Sequence, residues 1–267
     1  MFSKFKSHWP IILMLLAFWP VWRWYVLRML DPTDESWGFI ALCTAIVFVL
    51  SKRSLSVNKV NLLPVFCVLL TYILAYAFVP PIIRACLAMV SVGLLVSNQY
   101  FGRTIQPGIV GLLVISLPLI SSFQFYLGYP LRLLASHLSI PFLHLTGCNA
   151  YVEGVIIHCN NSMIVVDAPC TGIRMGWVAF FLCYFLATYY NFNVKKTLLT
   201  MSGTSFCVLV GNVVRATSLV HVEVGNAKFP SWTHEAIGIL SFVFVSASLC
   251  FFASKLNKGI RWLRFAS

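Results

Sequence analysis

Three residues in the second half of the chain have side chains that can carry out nucleophilic chemistry together. Cys170 lies in "DAPCTGIRM", Arg215 in "GNVVRATS" and His234 in "WTHEAIG". A thiol attacks as its thiolate, and a histidine can take the thiol proton and return it to a leaving amine. An arginine can hold the oxyanion of a tetrahedral intermediate or orient the thiolate. These residue types together are typical of covalent catalysis.

Four residues near Cys170 are candidates for supporting roles. Asp167 can cap the helix that follows. Thr171 places a hydroxyl directly after the thiol, and Gly172 can let a substrate backbone approach closely. Arg174, one turn after the cysteine, either touches the site or extends to the membrane interface.

Two more candidates adjoin the arginine and the histidine. Asn212, one turn before Arg215, either hydrogen bonds to a substrate or to Arg215, or packs between helices. Glu235 can orient the ring of His234, although adjacent positions on a helix point apart.

The composition predicts that this chain is an integral membrane protein, so membrane helices position these residues. The chain has 267 residues, of which 60% are hydrophobic and only 10% are charged, and its mean hydropathy is +0.87. Soluble domains have about 25% charged residues. The net charge of +12 is distributed in short clusters between apolar runs, and no nucleic-acid-binding motif is present.

Eight apolar segments are predicted to cross the membrane as helices of a single domain covering 1–267. They are residues 9–29, 36–51, 61–79, 81–97, 107–123, 173–190, 197–215 and 234–254. Twelve of the nineteen Lys and Arg residues fall on one side of such an arrangement, and the first loop on the other side, "DPTDES", is acidic. Both termini are therefore predicted to be cytoplasmic.

Residues 124–172 then form the one long extracytoplasmic region. Leucines and phenylalanines at helical spacing between 127 and 145 predict an amphipathic interfacial helix, which Pro130 and Pro141 limit. The runs "GVIIH" and "MIVVD", on either side of "CNNS", predict a β-hairpin that leads to Asp167. Cys148 and Cys159 flank its first strand, and their spacing is compatible with a disulfide as well as with two free thiols.

This topology places the three reactive residues at one membrane face. Cys170 precedes the sixth span, Arg215 ends the seventh and His234 begins the eighth, and all three span ends are extracytoplasmic. Because a helix amino terminus and nearby cations stabilise a thiolate, we expect the pKa of Cys170 to lie below its ordinary value of about 8.5.

The motifs "APCTGIRM", "GNVVRATS" and "HEAIGIL", in this order and each at a span end, resemble those of the exosortase/archaeosortase family. The resemblance extends over residues 10–255 and implies a membrane-embedded cysteine transpeptidase, with Cys170 as nucleophile, Arg215 as the arginine and His234 as acid/base. Thr171 stands where the family usually has serine, so the hydroxyl is kept.

The resemblance also implies the substrate and the location. Such an enzyme cleaves the C-terminal sorting signal of secreted proteins, which is a short motif, a membrane span and a basic tail. A thioester forms, and the protein is transferred to an acceptor at the cell surface. The expected setting is the inner (plasma) membrane with its lipid, the acceptor is unidentified, and no cofactor is implied.

Other functional classes remain as alternatives. A transporter or channel requires polar residues within its spans, and the middle of each span here is nearly free of ionisable groups. A non-catalytic subunit of an envelope polysaccharide export machinery would not need Cys170. His137, His144 and His158 raise the question of a metal site, but the chain has no HExxH pattern, which favours packing or interfacial histidines.

Overall fold

The computed structural model describes residues 2–31, 36–52, 61–160, 162–225, 230 and 232–265. Several residues used in the topology prediction lie outside these ranges: 32–35 of the acidic loop, Arg53, Lys59 and Lys228, together with Asn161 of the predicted hairpin turn.

The described residues are mainly helical, with one small sheet. The helices are α1 Phe2–Ala17, α2 Trp19–Met29, α3 Gly38–Leu50, α4 Leu63–Ala75, α5 Pro81–Phe101, α6 Pro107–Ile115, α7 Ile120–Leu145, α8 Ile173–Tyr189, α9 Val194–Val224 and α10 Thr233–Phe265. The strands are β1 Ala150–Glu153, β2 Ile156–Cys159 and β3 Ser162–Val165. Prolines begin α5 and α6, where their missing N–H costs no helical hydrogen bond.

All eight predicted spans contain helix, but eight membrane-spanning helices are not confirmed. Within the described residues, α5, α9 and α10 are each long and apolar enough to cross a membrane. Two bent pairs, α1 with α2 (68°) and α6 with α7 (89°), bring the number to five if each pair is one span. Helices α3 and α4 have 13 residues each and α8 has 17. At 1.5 Å per residue they are only about 20–26 Å long, against about 30 Å of hydrocarbon.

The predicted span 107–123 is not one continuous helix. Helix α6 ends at Ile115, the chain bends around Pro118, and α7 begins at Ile120. The predicted amphipathic helix is part of α7, which continues through both Pro130 and Pro141 instead of ending near them.

The chain divides into two compact units. Residues 1–121 and 181–199 form the first, and 122–180 and 200–267 form the second. In the first unit, a side chain at Gly111 would overlap the ring of Tyr184, so α6 packs closely against the later part of α8. The prediction of a single domain covering 1–267 stays a prediction.

The second unit contains a three-stranded antiparallel sheet in the order β1-β2-β3. The two predicted strands are present as β2 and β3, which pair as a hairpin. The prediction lacked the third strand, β1, which pairs with β2 in the register Ala150↔Cys159 to Glu153↔Ile156. Asn160, with φ of 47°, makes the turn between β2 and β3, as expected for an asparagine in a tight turn.

The sheet packs on the ends of two helices. Its core consists of Leu143 from α7, Ala150, Ile157, Cys159 and Val166 from the sheet region, and Val220 from α9. Another core cluster of this unit joins Met175 and Ala179 of α8 to Val245 of α10. A side chain at Gly211 would overlap Val245, so this glycine lets α9 and α10 approach closely just before Asn212.

Candidate active site

A pocket of about 240 Å³ lies within the second unit. Its walls come from four segments: the end of β3 with the residues after it, the turn before α8, the last turns of α9 and the first turn of α10. They are Ile164, Val165, Val166, Asp167, Cys170, Arg215, Ala216, Leu219, Val220, Glu223, His234 and Glu235. The structure therefore brings together the thiol, the guanidinium and the imidazole that the sequence places 45 and 19 residues apart.

Cys170 lies in a tight turn between the sheet and α8. Residues Ala168–Thr171 form a 3₁₀ turn in which the Cys170 N–H donates to the Asp167 carbonyl at 2.9 Å. Gly172, with φ of 74°, ends this turn, and the Ile173 N–H that begins α8 donates to Thr171 Oγ1 at 3.3 Å. The thiol therefore lies in its own 3₁₀ turn and precedes the long helix α8.

The pKa of Cys170 is raised, contrary to the sequence expectation. Burial is the largest cause, because it disfavours the thiolate. The Arg215 charge lowers the pKa, the Asp167 charge raises it, and a hydrogen bond from the Asp167 backbone lowers it. Burial outweighs the cation, so the resting group is a neutral thiol whose proton must be removed during reaction.

Asp167 lines the pocket but does not cap a helix with its side chain. It occupies the N-cap position of the 3₁₀ turn and makes no side-chain capping bond there. Its contribution to the site is its backbone, which hydrogen bonds with Cys170, and its negative charge beside the thiol.

Arg215 is held by α9 and packs over a glycine of α10. Arg215, Leu219 and Glu223 follow one another at four-residue spacing, so they share the helix face that lines the pocket. A Cβ built on Gly238 would lie 3.7 Å from Nε and Cζ of Arg215, so the guanidinium rests on bare backbone. Gly238 is four residues after His234, and this spacing puts both on one side of α10.

His234 is paired with a carboxylate that the sequence analysis missed. Its Nε2 lies 3.4 Å from Oε1 of Glu223, and both side chains are about half exposed, at 50% and 47%. The candidate for this role was Glu235, which lines the pocket as well. The missed signal was the eight-residue spacing from Arg215 to Glu223, which becomes visible once α9 is extended past residue 215 to Val224.

Asn212 and Gly172 hold the turn that carries the thiol. Asn212 is 5% exposed, and its Nδ2 donates to the carbonyl of Cys170 at 2.8 Å. A Cβ on Gly172 would lie only 3.0 Å from Cγ of Asn212. Gly172 therefore provides a left-handed backbone and room for Asn212. The approach of a substrate backbone at this glycine stays a prediction.

The remaining supporting candidates lie outside the pocket wall. Thr171 is buried and bonds to the start of α8, and Arg174 is exposed. Neither is among the pocket residues.

The three histidines considered for metal binding do not form a metal site. His144 Nε2 lies 2.8 Å from the Ala150 carbonyl, and His158 stacks on Tyr151 at 4.5 Å. In the described part of the chain, no group of three His, Cys, Asp or Glu residues is arranged to hold an ion.

Comparison with known proteins identifies one family. The sequence profile described as transmembrane exosortase matches residues 3–252 of the chain. No curated protein and no solved structure matches the chain.

Proposed function

The chain belongs to the transmembrane exosortase family, and from that premise we propose that it is a membrane-embedded cysteine transpeptidase. Its substrate is the C-terminal sorting signal of a secreted protein, and its product is that protein joined to an amine acceptor at the cell surface. The observation that carries the proposal is the single pocket that contains Cys170, Arg215 and His234.

The chemistry assigns one role to each of these residues. His234 takes the proton of the Cys170 thiol, and the sulfur attacks the scissile carbonyl. Arg215 holds the resulting oxyanion, since its charge and planar donors are fixed over Gly238. Collapse of the tetrahedral intermediate expels the amine of the membrane tail, which His234 protonates. The thioester on Cys170 is then resolved by an acceptor amine or by water.

The raised pKa of Cys170 fits this order of events. A thiol that is neutral at rest does not react indiscriminately with other electrophiles. Its activation depends on a base in the same pocket, and His234, paired with Glu223, is such a base.

The proposal includes a topology. Both termini are cytoplasmic, the pocket faces the extracytoplasmic side of the plasma membrane, and the shorter helices α3, α4 and α8 complete eight crossings where the bilayer thins around them. The support is the distribution of Lys and Arg along the sequence. In intact cells, an impermeant thiol reagent should leave a cysteine placed at position 195 unlabelled, and labelling there would overturn this orientation.

A substitution at Cys170 tests the catalytic assignment. Cys170→Ala should abolish processing of a co-expressed protein that ends in a sorting signal, while Cys207→Ala, which changes a partly buried cysteine of the helical core, should leave processing intact. If the protein were a transporter or a non-catalytic export subunit, neither substitution would change the processing of that co-expressed protein. Processing by a folded Cys170→Ala protein would therefore refute the proposal.

A further inference from the structure

A second group of thiol and imidazole side chains lies in the same unit, outside the candidate active site. Cys148 follows α7, Cys159 is in β2, and His221 is in the last turn of α9. Nε2 of His221 lies 3.8 Å from Sγ of Cys148, and Cys148 packs against the core cluster that contains Cys159. None of the three lines the pocket that contains Cys170.

The position of Cys148 is fixed by the way α7 ends. Gly147 has φ of 83°, its N–H donates to the His144 carbonyl at 3.0 Å, and the Cys148 N–H donates to the Leu143 carbonyl, also at 3.0 Å. This pattern is a Schellman motif, which places the residue after the glycine against the preceding helical turn. Cys148 thus packs on the core cluster that contains Cys159.

The sheet fixes Cys159 next to it. Cys159 pairs with Ala150 in the β1–β2 register, and Cys148 lies two residues before Ala150. Ala150 and Cys159 are both buried in the core cluster against which Cys148 packs, so both thiols face this core.

The hydrogen bonds assign the tautomer of His221. Its Nδ1 lies 2.8 Å from the Thr217 carbonyl, which can only accept, so Nδ1 carries a proton. In the neutral ring Nε2 is then an acceptor, and the group it faces is the Cys148 thiol. His221 is therefore oriented to take the proton of Cys148.

We propose that Cys148 and Cys159 form a redox site in which His221 activates Cys148 and a disulfide joins the two cysteines. The oxidant is a small-molecule or protein disulfide, a class of compound that an oxidising extracytoplasmic compartment provides. Both cysteines are free thiols in this structure, which therefore shows the reduced form of the site.

The reaction proceeds by two thiol–disulfide exchanges. Cys148 transfers its proton to His221, its sulfur attacks one sulfur of the oxidant, and the S–S bond of the oxidant breaks to release one thiol, which takes that proton. Cys159 then loses its proton and attacks the Cys148 sulfur, and the mixed disulfide breaks to release the second thiol. Two cysteine thiols are oxidised and one external disulfide is reduced, with both protons leaving on the two released thiols.

The two cysteines differ in reactivity, which sets this order. Burial, and then the adjacent Cys148 thiol, raise the pKa of Cys159 to about 11. Cys159 is fully buried, whereas Cys148 is partly exposed and faces His221. Cys148 thus reacts first with an external disulfide, and Cys159 resolves the product.

The bond would join the end of α7 to the middle strand of the sheet. Strand β3 pairs with that middle strand, and Ile164, Val165 and Val166 at its end line the pocket that contains Cys170. Oxidation would therefore stiffen one wall of the candidate active site. The redox proposal rests on the proposed extracytoplasmic orientation but not on the peptidase assignment, because it concerns different residues and a different readout.

The test is thiol mapping of the full-length protein in detergent. The reduced protein is mixed with oxidised glutathione, quenched in acid, alkylated and digested without reduction. We expect a Cys148–Cys159 cross-linked peptide as the main product in the wild type. Cys159→Ser should stop at glutathione bound to Cys148, and Cys148→Ser should leave Cys159 as a free thiol.

A histidine variant tests the activation step. His221→Gln should slow formation of the mixed disulfide at neutral pH by about tenfold, since the thiol loses its proton acceptor. His137→Gln, which changes an exposed histidine of α7, should react at the wild-type rate. Free thiols at both positions in the wild type after treatment, or cross-links mainly to other cysteines, would overturn the site. An unchanged rate in folded His221→Gln would overturn the role of the histidine.

Discussion

Replacement of Gly172 by alanine should destabilise the protein and displace the reactive thiol. Gly172 has φ of 74°, and the left-handed conformation costs an L-residue about 1–2 kcal/mol. The new Cβ would lie 3.0 Å from Cγ of Asn212, so this buried amide must shift. Its hydrogen bond to the Cys170 carbonyl, 2.8 Å long, is then weakened or lost, at a net cost of about 1 kcal/mol.

Alanine also restricts the unfolded chain, which returns about 0.4–1 kcal/mol. The sum is a loss of about 2 kcal/mol, equivalent to a fall in the thermal midpoint of roughly 4–8 °C for a chain of this size. The shift occurs at Asn212, which holds the Cys170 turn. The rate at which folded protein cleaves a sorting-signal peptide should therefore fall as well, beyond the loss that unfolding explains.

Gly176→Ala is the matched control. Gly176 lies inside α8, and its Cβ would be at an ordinary 3.7 Å from Val208. Alanine there should be neutral or should stabilise the helix by up to about 1 kcal/mol. Thermal unfolding in detergent and peptide cleavage are measured for both variants. If Gly172→Ala melts and cleaves like the wild type, the packing of Gly172 against Asn212 is not what holds the turn.

Three further predictions concern the residues around the thiol. The alkylation rate of Cys170 should reach half its maximum at a pH above about 8.5, because its raised pKa keeps the thiol protonated to higher pH. Arg215→Gln should move that midpoint higher still, and a midpoint that moves down would contradict the cation's role. Glu223→Gln should lower the cleavage rate about two- to fivefold, as expected for a half-exposed contact that becomes an ion pair once His234 has taken the thiol proton. Glu235→Gln should change the rate less, and the reverse ranking would show that the wrong carboxylate has been assigned. Asn212→Leu should destabilise the fold by about 1–3 kcal/mol, because the Cys170 carbonyl loses its donor; an unchanged unfolding midpoint would contradict that contact.

Composition and motif order predicted the membrane class, the helical segments and the meeting of the three reactive residues. Apolar composition identifies a run as helical but does not show where it bends. Pro118 allows a kink within 107–123, but the sequence does not give its size, and the bend between α6 and α7 is 89°. Strand β1 was missed because it is only four residues long, although its Tyr151 and Val152 favour strands, and pairing with β2 supplies its hydrogen bonds.

The electrostatics of the site could not be predicted from sequence neighbours. The pattern showed cations near Cys170 but not its burial, and burial decides the direction of the pKa shift. Glu223 was overlooked because the predicted span ended at Arg215, two turns too early. Gly172 has a packing role that only the position of Asn212 reveals.

The measurement that tests the central claim most directly is detection of the thioester on Cys170. Purified protein is mixed with a peptide that carries a sorting signal, quenched in acid within seconds and analysed by intact mass and peptide mapping. The account predicts that the part of the substrate upstream of the cleaved bond is attached to Cys170 and is released by hydroxylamine. It also predicts that His234→Ala forms this adduct about 100- to 10,000-fold more slowly. Cleavage of the peptide by a folded Cys170→Ala protein, or cleavage by the wild type with the acyl group on another residue, would contradict it.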